Sequence, residues 1–359
     1  MRLLKAIPII MFVVVNLLVI VAMNFCAYTA YVPPQQHPEV SYWGLMFPIF
    51  VAVNAGFVLF WLVFKWKLAV LPLVGMLLCA DSIRAYMPLN LPSPPPEGSI
   101  KVLSYNVMSF GQSLQPWEEN DVLGYVLSSG ADIVCMQEGN KAIIDSAMDS
   151  ILSIYPYSDY QCDGQFHNAC CFSKFPILSV KQIGYPAETN FTYAYEILVE
   201  SDTLLVINSH LESYKLSSED KDDYKSIIKN YNHPNINHSE TKYLNLVEKI
   251  SHSDSIRGIQ VDSVAAFVQR NEGRRMVLCG DFNATPVSYS HHQLTRGLND
   301  AYTRTGNGPG ISYHRSGMYF RLDHILTSPN ITAYGAKVDT SIKESDHYPL
   351  FCFVKWEQK

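Results

Sequence analysis

The sequence predicts an α+β layered sandwich preceded by membrane-spanning helices. Long uncharged apolar runs fill most of the first 87 residues, and a proline-rich stretch follows them. After residue 100, short strand-like runs alternate with amphipathic helical ones, and several strands are joined by short turns. Hairpin-type strands mixed with helices are typical of α+β architecture.

Two apolar segments near the N-terminus are long enough to cross a bilayer. Ala6 to Pro38 and Val40 to Phe64 contain no Asp, Glu, Lys or Arg. Both exceed the roughly 20 apolar residues that a transmembrane helix needs. Leu68 to Ala80 is shorter, and we favour it as the start of a third span. The predicted membrane anchor, residues 1–87, therefore has two or three spans, at about 7–31, 41–64 and 68–87.

The basic residues of the anchor indicate its orientation. Arg2 and Lys5 precede the first span and Lys65 and Lys67 follow the second, whereas the loop between those spans has no Lys or Arg. The positive-inside rule places both basic ends in the cytoplasm. The rest of the chain is then extracytoplasmic with three spans and cytoplasmic with two, in an integral protein of the cell or inner membrane.

Beyond the anchor, we expect a proline-rich linker at residues 88–99 and a globular domain at residues 100–359. That domain has 30 acidic and 22 basic residues, a balance that disfavours a surface built to hold a nucleic-acid backbone. Its stretch from Glu212 to Asp262 is polar and helix-rich. We predict a helical insertion there, either a lid or binding loop or a solvated helical excursion.

The cysteines do not indicate a disulfide framework, because eight in a chain of this length are too few. There is no pair of CxxC type, so a structural zinc site is not indicated. Cys162 could bridge to Cys170 or Cys171, and the sequence leaves that pairing open.

Polar side chains recur where the apolar runs of the globular domain stop. If the strands form two stacked sheets, their ends can converge on one rim. Carboxylate and amide oxygens suit a hard cation, Mg²⁺ above all, and imidazole beside carboxylate supplies acid–base chemistry. Together they fit hydrolysis of a phosphate ester. The residues are Asn106, Glu138, His210, Asp281, Asn283, Asp323, His324, Asp346 and His347.

The motifs SYNV, QE, NSHL, GDFN, RLDHIL and SDHYPL stand in the order and approximate spacing of a known superfamily. Over about residues 100–356 the chain resembles the endonuclease/exonuclease/phosphatase superfamily, which includes DNase I and the neutral sphingomyelinases. The resemblance implies a four-layered, DNase I-like α/β sandwich with two mostly antiparallel sheets. It also implies phosphoester hydrolysis dependent on Mg²⁺, with Mn²⁺ as an alternative.

The resemblance also implies roles for individual residues. Glu138 would be the main metal ligand, with Asn106 and Asp346 nearby. The catalytic residues would be His210, Asp281, Asn283, Asp323 and His347.

Among these, Asp281 would orient or deprotonate the attacking water, and Asn283 would hold a phosphate oxygen. Because the two lie two residues apart, they would point to the same side of an extended chain. Asp323 would pair with His347, and the choice of Asp281 or His347 as the base stays open. His210, shared with the DNase and sphingomyelinase branches, would bind the phosphate or protonate the leaving oxygen.

Three functions follow from this reading. The first is a membrane-anchored phosphoesterase acting on a lipid head group or another small phosphoester, with the bilayer as its partner. The second, less favoured because of the acidic balance, is a nuclease acting on DNA or RNA. The third is an inactive binding protein on the same fold, which is disfavoured because suitable residues fill the expected catalytic positions. We read the remaining candidates, His324, Tyr105, Phe282 and Tyr348, as structural or packing residues.

Overall fold

A computed structural model describes the backbone of residues 2–112, 116–162, 168–185, 190–229 and 236–357. The side chain of Cys162 is outside the described part of the chain, and so is its predicted pairing with Cys170 or Cys171.

The N-terminal region is helical, and its helices agree with the prediction of two or three spans. Ile7–Tyr31 and Pro38–Phe64 are each long and apolar enough to cross a membrane. A third candidate consists of Trp66–Leu78 and Ala80–Tyr86, which meet at a bend of 71°. The helices are α1 (Arg2–Tyr28), α2 (Pro38–Ser41), α3 (Phe47–Phe64), α4 (Val70–Leu78) and α5 (Ala80–Tyr86).

Buried and half-buried amides join these apolar helices. Asn16 on α1 donates to Asn54 on α3 at 3.3 Å and accepts from the Trp61 indole at 2.9 Å. Asn24 on α1 donates to the Gly75 carbonyl on α4 at 3.1 Å. A polar side chain surrounded by apolar groups is costly unless it is hydrogen-bonded, so these contacts fix how the helices pair. The third segment thus packs as part of the same helical bundle.

The described residues from Ile100 onward form two six-stranded sheets, with strand orders β11-β12-β1-β2-β4-β3 and β5-β6-β7-β8-β10-β9. The pairs β1–β2 and β7–β8 are parallel, and the other neighbours are antiparallel. The strands are β1 (Ile100–Asn106), β2 (Ile133–Gln137), β3 (Tyr157–Cys162), β4 (Asn168–Ser173), β5 (Ile177–Gln182), β6 (Phe191–Val199), β7 (Asp202–His210), β8 (Arg275–Asp281), β9 (Asn299–Asp300), β10 (Asp323–Thr327), β11 (Thr332–Val338) and β12 (Leu350–Lys355).

Helices cover the outer face of each sheet, which gives four layers. Apolar side chains such as Val102 and Val206 meet between the two sheets. Separate apolar clusters fill the space between each sheet and its helices. The predicted DNase I-like sandwich is confirmed. The helices are α6 (Met108–Gly111), α7 (Asp121–Ser128), α8 (Lys141–Ser146), α9 (Met148–Ile154), α10 (Ser218–Lys229), α11 (Ile236–Arg270), α12 (Tyr289–Leu294) and α13 (Ala301–Thr305).

The sandwich packs directly against the apolar helices. Val287 is buried in a cluster with Met23 and Phe47 of the N-terminal helices. The buried Arg321 guanidinium donates to the Ala85 carbonyl at the end of α5. The linker residues have no regular secondary structure, yet the Asn90 side chain donates to carbonyls of the α13 region at 2.6 and 3.2 Å. The linker is therefore held against the domain at that point.

Candidate active site

Three adjacent strands of the second sheet bring the first site residues side by side. In the β-sheet register, Asp281 on β8 is opposite His210 on β7 and opposite Asp323 on β10. A strand-end residue of one strand therefore lies next to a strand-end residue of each neighbour. His210, Asp281 and Asp323, which stand at the ends of separate apolar runs in the sequence, therefore form one row across the edge of the sheet.

A glycine allows the close approach of β7 and β8 behind this row. Gly280 has φ +142°, and a Cβ atom at this position would lie 1.8 Å from the carbonyl oxygen of Ser209. A side chain there would collide with the neighbouring backbone. The glycine of the GDFN motif thus lets His210 and Asp281 stand next to each other.

The first sheet contributes Asn106 and Glu138. Asn106 ends β1, and Glu138 follows β2 in a left-handed backbone conformation with φ +57°. The Asn106 Nδ2 donates to Glu138 Oε1 at 2.9 Å and to Asp281 Oδ2 at 3.0 Å, so this amide links the two sheets. Its oxygen accepts from the Met108 backbone N–H at 3.1 Å. In this arrangement Asn106 joins two carboxylates, and its role as a metal ligand stays a prediction.

His210 lies between the carboxylates of the two sheets. Its Nε2 is 3.6 Å from Glu138 Oε1 and 3.8 Å from Asp281 Oδ2. The ring packs edge-on against Phe191, and Nδ1 is buried without a hydrogen-bond partner among the described residues. An imidazole in this place can donate a proton to, or hydrogen-bond with, a group held near both carboxylates.

His347 forms a buried pair with Asp323. The Nδ1 atom is 2.7 Å from Asp323 Oδ2, and Nε2 is 3.5 Å from Asp281 Oδ2. Burial alone would lower the pKa of His347, but the charges of Asp323 and Asp281 outweigh it and raise the pKa well above its usual value. The imidazole is therefore oriented by one carboxylate and faces another, as in a catalytic acid–base pair.

Asn283 departs from the expected geometry, whereas Asp346 lies beside the predicted site. Asn283 has φ +49° and its strand ends at Asp281, so the reasoning from an extended chain is wrong for this pair. Its Nδ2 donates to the Leu211 carbonyl at 2.9 Å. Asp346 is half-buried beside His347. The burial of Tyr313, together with the charge of Asp346, raises the pKa of Tyr313 to about 12. Both residues border the site, and their predicted roles stay predictions.

The residues fit a hard divalent cation. Ligand atoms of Asp281, Asp323 and His347 lie within 4.8 Å of one another. Glu138 adds a partly exposed carboxylate, which shares the Asn106 amide with Asp281. The second oxygen of Asp323 is buried without a hydrogen-bond partner among the described residues. Oxygen-rich sites with excess negative charge suit Mg²⁺ or Mn²⁺ better than soft metals.

A second buried cluster of histidine and aspartate was not selected from the sequence. Asp300 accepts from His291 Nε2 at 3.1 Å and from Thr303 Oγ1 at 2.7 Å. Burial would raise the pKa of Asp300, but the His291 hydrogen bond and the charge of Arg321 hold it well below its usual value. Burial also lowers the pKa of His324 strongly, and its Nε2 is engaged by the Ala284 carbonyl at 2.9 Å.

We read this second cluster as structural, because its carboxylate is saturated and a guanidinium lies nearby. The structural role expected for His324 agrees with its position. The only sequence signal for this cluster is a weak one, the neighbouring pair His291-His292 on α12.

Two serines that position the site were also missed. Ser312 Oγ accepts from the backbone N–H groups of Leu322 and Asp323 at 3.0 and 3.1 Å. Ser345 Oγ donates to the Asn106 carbonyl at 2.7 Å and accepts from the His347 N–H at 3.2 Å. Ser345 stands inside the SDHYPL motif, which was the available signal, whereas nothing in the sequence points to Ser312.

Comparison with known proteins gives two sequence-profile matches. Residues 103–347 match the Endonuclease/Exonuclease/phosphatase family. Residues 9–86 match a domain of unknown function, DUF8431. No curated protein matches the chain.

Solved structures share the fold at low sequence identity. D. rerio TDP2, complexed with a single-strand DNA product, aligns with a TM-score of 0.52 and 16% identity over 72% of this chain and 100% of its own. The human Nocturnin catalytic domain, with bound sulfate anion, gives 0.52 and 17% over 72% and 95%. An endonuclease/exonuclease/phosphatase from Beutenbergia cavernae gives 0.51 and 13% over 72% of each chain. These likenesses support the fold alone.

Proposed function

The chain belongs to the Endonuclease/Exonuclease/phosphatase family, and on that basis we propose a membrane-anchored, Mg²⁺-dependent phosphoesterase acting on a lipid head group or small phosphoester. Proteins of this family are divalent-metal-dependent phosphoesterases or nucleases, so the chain is a phosphoric ester hydrolase. The finer assignment, to a lipid-facing enzyme, is ours.

One observation carries the chemistry of this proposal, namely that Asp281 meets both histidines and Asn106. Its Oδ2 is 3.0 Å from Asn106 Nδ2, 3.5 Å from His347 Nε2 and 3.8 Å from His210 Nε2. When bound, a divalent cation would polarise a phosphoryl oxygen and offset the charge that develops there. Glu138 would hold the cation, Asp281 would orient the attacking water, and His210 would bond the phosphate or leaving oxygen.

The surface of the helical insertion favours lipid over nucleic acid. Tyr243, Leu244 and Ile259 on α11 are large apolar side chains with 46%, 56% and 42% exposure. Tyr243 interacts with Tyr42, which lies in the first turns of the candidate span Pro38–Phe64. An exposed tyrosine beside a candidate span is typical of contact with the interface of a bilayer.

Three lysines of the insertion are paired with carboxylates rather than free. Lys215 pairs with Glu212, Lys225 with Asp222 and Lys249 with Asp220, at 2.6 to 3.2 Å. A surface that tracks a nucleic-acid backbone needs cations that are available to phosphates. These pairings therefore argue against a nuclease.

The seating of the domain supports an extracytoplasmic active site. The loop after α1 contacts the domain through Gln35, which donates to Asp262 at 2.7 Å. Ala85, at the end of α5, contacts Arg321 at the same end of the bundle. Helix α3 begins at this end and has 18 residues, so it is roughly 27 Å long at 1.5 Å per residue. Lys65 follows its last residue and therefore lies at the end of the bundle that is far from the domain.

This arrangement favours three spans. If the Lys65 end is cytoplasmic, the domain is outside and the bent segment Trp66–Tyr86 returns the chain across the membrane.

The orientation can be tested with two epitope tags and an external protease. We expect a tag after Lys359 to be digested in intact cells, or in spheroplasts where an outer envelope blocks access, and a tag before Met1 to be protected until the membrane is opened. Digestion of both tags after detergent treatment is the control for accessibility. Protection of the C-terminal tag in sealed cells would contradict the three-span arrangement.

The function can be tested with a panel of phosphoesters and the full chain in mixed micelles. The substrates are a phosphocholine lipid, a phosphoinositol lipid, plasmid DNA, bis-p-nitrophenyl phosphate and p-nitrophenyl phosphate, each assayed with Mg²⁺. We expect lipid or small-diester hydrolysis that EDTA abolishes and Mg²⁺ restores. The variants Glu138→Ala and His347→Ala serve as site controls.

The panel separates the alternatives. Cleavage of DNA alone would replace the lipid proposal with a nuclease. Wild-type turnover in both variants would show that the site is assigned wrongly. Hydrolysis of no substrate, with the protein folded and Mg²⁺ supplied, would favour the inactive binding protein.

A further inference from the structure

The helical insertion holds the backbone next to His210 from outside the sheet. The Glu212 N–H donates to Gln260 Oε1 at 2.8 Å, and the Glu212 carbonyl accepts from Arg257 Nε at 2.8 Å. Both side chains come from α11, and all three residues are buried. Helix α11 thus binds both backbone polar groups of Glu212, two residues after His210.

The segment held in this way leads into the candidate active site. The Leu211 N–H donates to the Asp281 carbonyl at 3.0 Å, and the Leu211 carbonyl accepts from Asn283 Nδ2 at 2.9 Å. A shift of Glu212 would therefore move Leu211, and with it the relative positions of His210, Asp281 and Asn283. Displacements of about 1 Å at a catalytic group can cost about a hundredfold in rate.

Arg257 is built into the interior rather than used as a surface cation. Its side chain is 1% exposed, forms an ion pair with Asp254 and lies over the Tyr214 ring at 4.6 Å. Its Nη2 is buried without a hydrogen-bond partner among the described residues. A buried guanidinium stabilises a fold poorly, because its desolvation offsets the attraction of its partners. A role in holding geometry explains its place better than a role in stability.

The opposite side of α11 rests on the loop after α1. Ser255 Oγ donates to the Pro34 carbonyl at 2.9 Å, and Gln35 Nε2 donates to Asp262 Oδ2 at 2.7 Å. The contact is closest at Gly258, where a Cβ atom would lie 2.4 Å from Gln35 Oε1 and 2.9 Å from Pro34 Cγ. Any larger residue at this position must push the helix and the loop apart.

We propose that Arg257 and Gln260 are positioning residues for His210 and Asn283, and that the seating of α11 on Pro34 and Gln35 holds them in place. Hydrolysis would then depend on contact between the membrane anchor and the insertion. This inference rests on the hydrolytic function proposed above, and the tests below separate the two.

The first test replaces the acceptor that binds the Glu212 N–H. Gln260→Met keeps the side-chain volume but removes the acceptor, whereas Gln260→Glu keeps an acceptor oxygen. With bis-p-nitrophenyl phosphate as substrate, we expect Gln260→Met to lower kcat of the folded protein by about tenfold or more, with KM near wild type. The thermal midpoint should fall as well, because the buried Glu212 N–H loses its acceptor. Gln260→Glu should recover most of kcat. Equal kcat in wild type and Gln260→Met would overturn the role of Gln260.

The second test introduces a bulky side chain between α11 and the loop after α1. Gly258→Leu introduces a better helix former, so weakening of α11 itself cannot explain a loss. We expect kcat on the same soluble substrate to fall by about tenfold or more. Gly124→Leu on α7 is the matched control and should leave kcat unchanged, because a Cβ at Gly124 meets nothing within 4 Å.

The two proposals fail in different ways. An active wild type with full kcat in both Gln260→Met and Gly258→Leu would overturn the positioning proposal and leave the hydrolytic function standing. A folded wild type that hydrolyses no phosphoester would overturn both. If Gln260→Met unfolds, Gly258→Leu decides the question, since it touches no group of the candidate active site.

Discussion

Replacing Asp281 with Asn is expected to lower kcat by about 10²- to 10⁴-fold, the range for loss of a positioned general acid or base. The carboxylate faces His210 and His347 and accepts a hydrogen bond from Asn106. Asparagine keeps the size of the side chain but removes the negative charge that would orient the attacking water. The measurement is single-turnover hydrolysis of bis-p-nitrophenyl phosphate at saturating Mg²⁺.

A matched control for Asp281→Asn exists on the neighbouring strand. Asp202 begins β7, at the far end from His210, and pairs with Arg275 at 2.9 Å. Asp202→Asn removes the same charge from the same sheet and should leave kcat unchanged. A loss of equal size in both variants would mean that the effect comes from the stability of the sheet, and Asp281 would lose its proposed role.

Asp323→Asn is expected to lower kcat by about 10³- to 10⁴-fold, the scale found when the aspartate that orients a catalytic histidine becomes an amide. His347 Nδ1 lies 2.7 Å from Asp323 Oδ2, so the carboxylate fixes both the tautomer and the direction of Nε2. The charge of Asp323 also holds the pKa of His347 well above its usual value, so the amide should lower that pKa. Steady-state kcat and the NMR titration of His347 without added metal measure the two effects.

The second buried pair gives a control with the same chemistry outside the site. Asp300→Asn breaks a contact with His291 that is 3.1 Å long and equally buried. We expect it to destabilise the domain by about 1–3 kcal/mol and to leave kcat of the folded fraction unchanged. If Asp300→Asn lost as much kcat as Asp323→Asn, the distinction between the catalytic pair and the structural pair would be wrong.

The strand ends were predictable from the sequence because each apolar run stops at a polar residue, which is a pattern of neighbouring residues. Asn106, Glu138 and His210 each follow a run of buried strand residues. Which strands lie next to each other is set by long-range pairing, so the contact of Asp281 with both histidines does not follow from local pattern. The family resemblance indicated only that these residues share one site.

Other features could not be predicted because nothing local encodes them. Arg257 and Gln260 lie in a polar helical stretch, where a charged or amide residue is ordinarily solvated, and only tertiary packing buries them. Asn283 departs from the extended conformation because asparagine tolerates left-handed backbone angles, so spacing of two residues gave the wrong direction. The packing of the domain against the N-terminal helices likewise comes from contacts between distant segments.

The docked linker has a consequence for how the enzyme would meet its substrate. Asn90 is bonded to the α13 region, and Ala85 at the end of α5 is bonded to Arg321, so the sandwich does not hang on a free tether. If the apolar helices span a membrane as proposed, the fold sets the height and tilt of the sandwich above it. Such an enzyme would work in cis, on molecules of its own leaflet, and its turnover would follow their mole fraction in that surface rather than their bulk concentration.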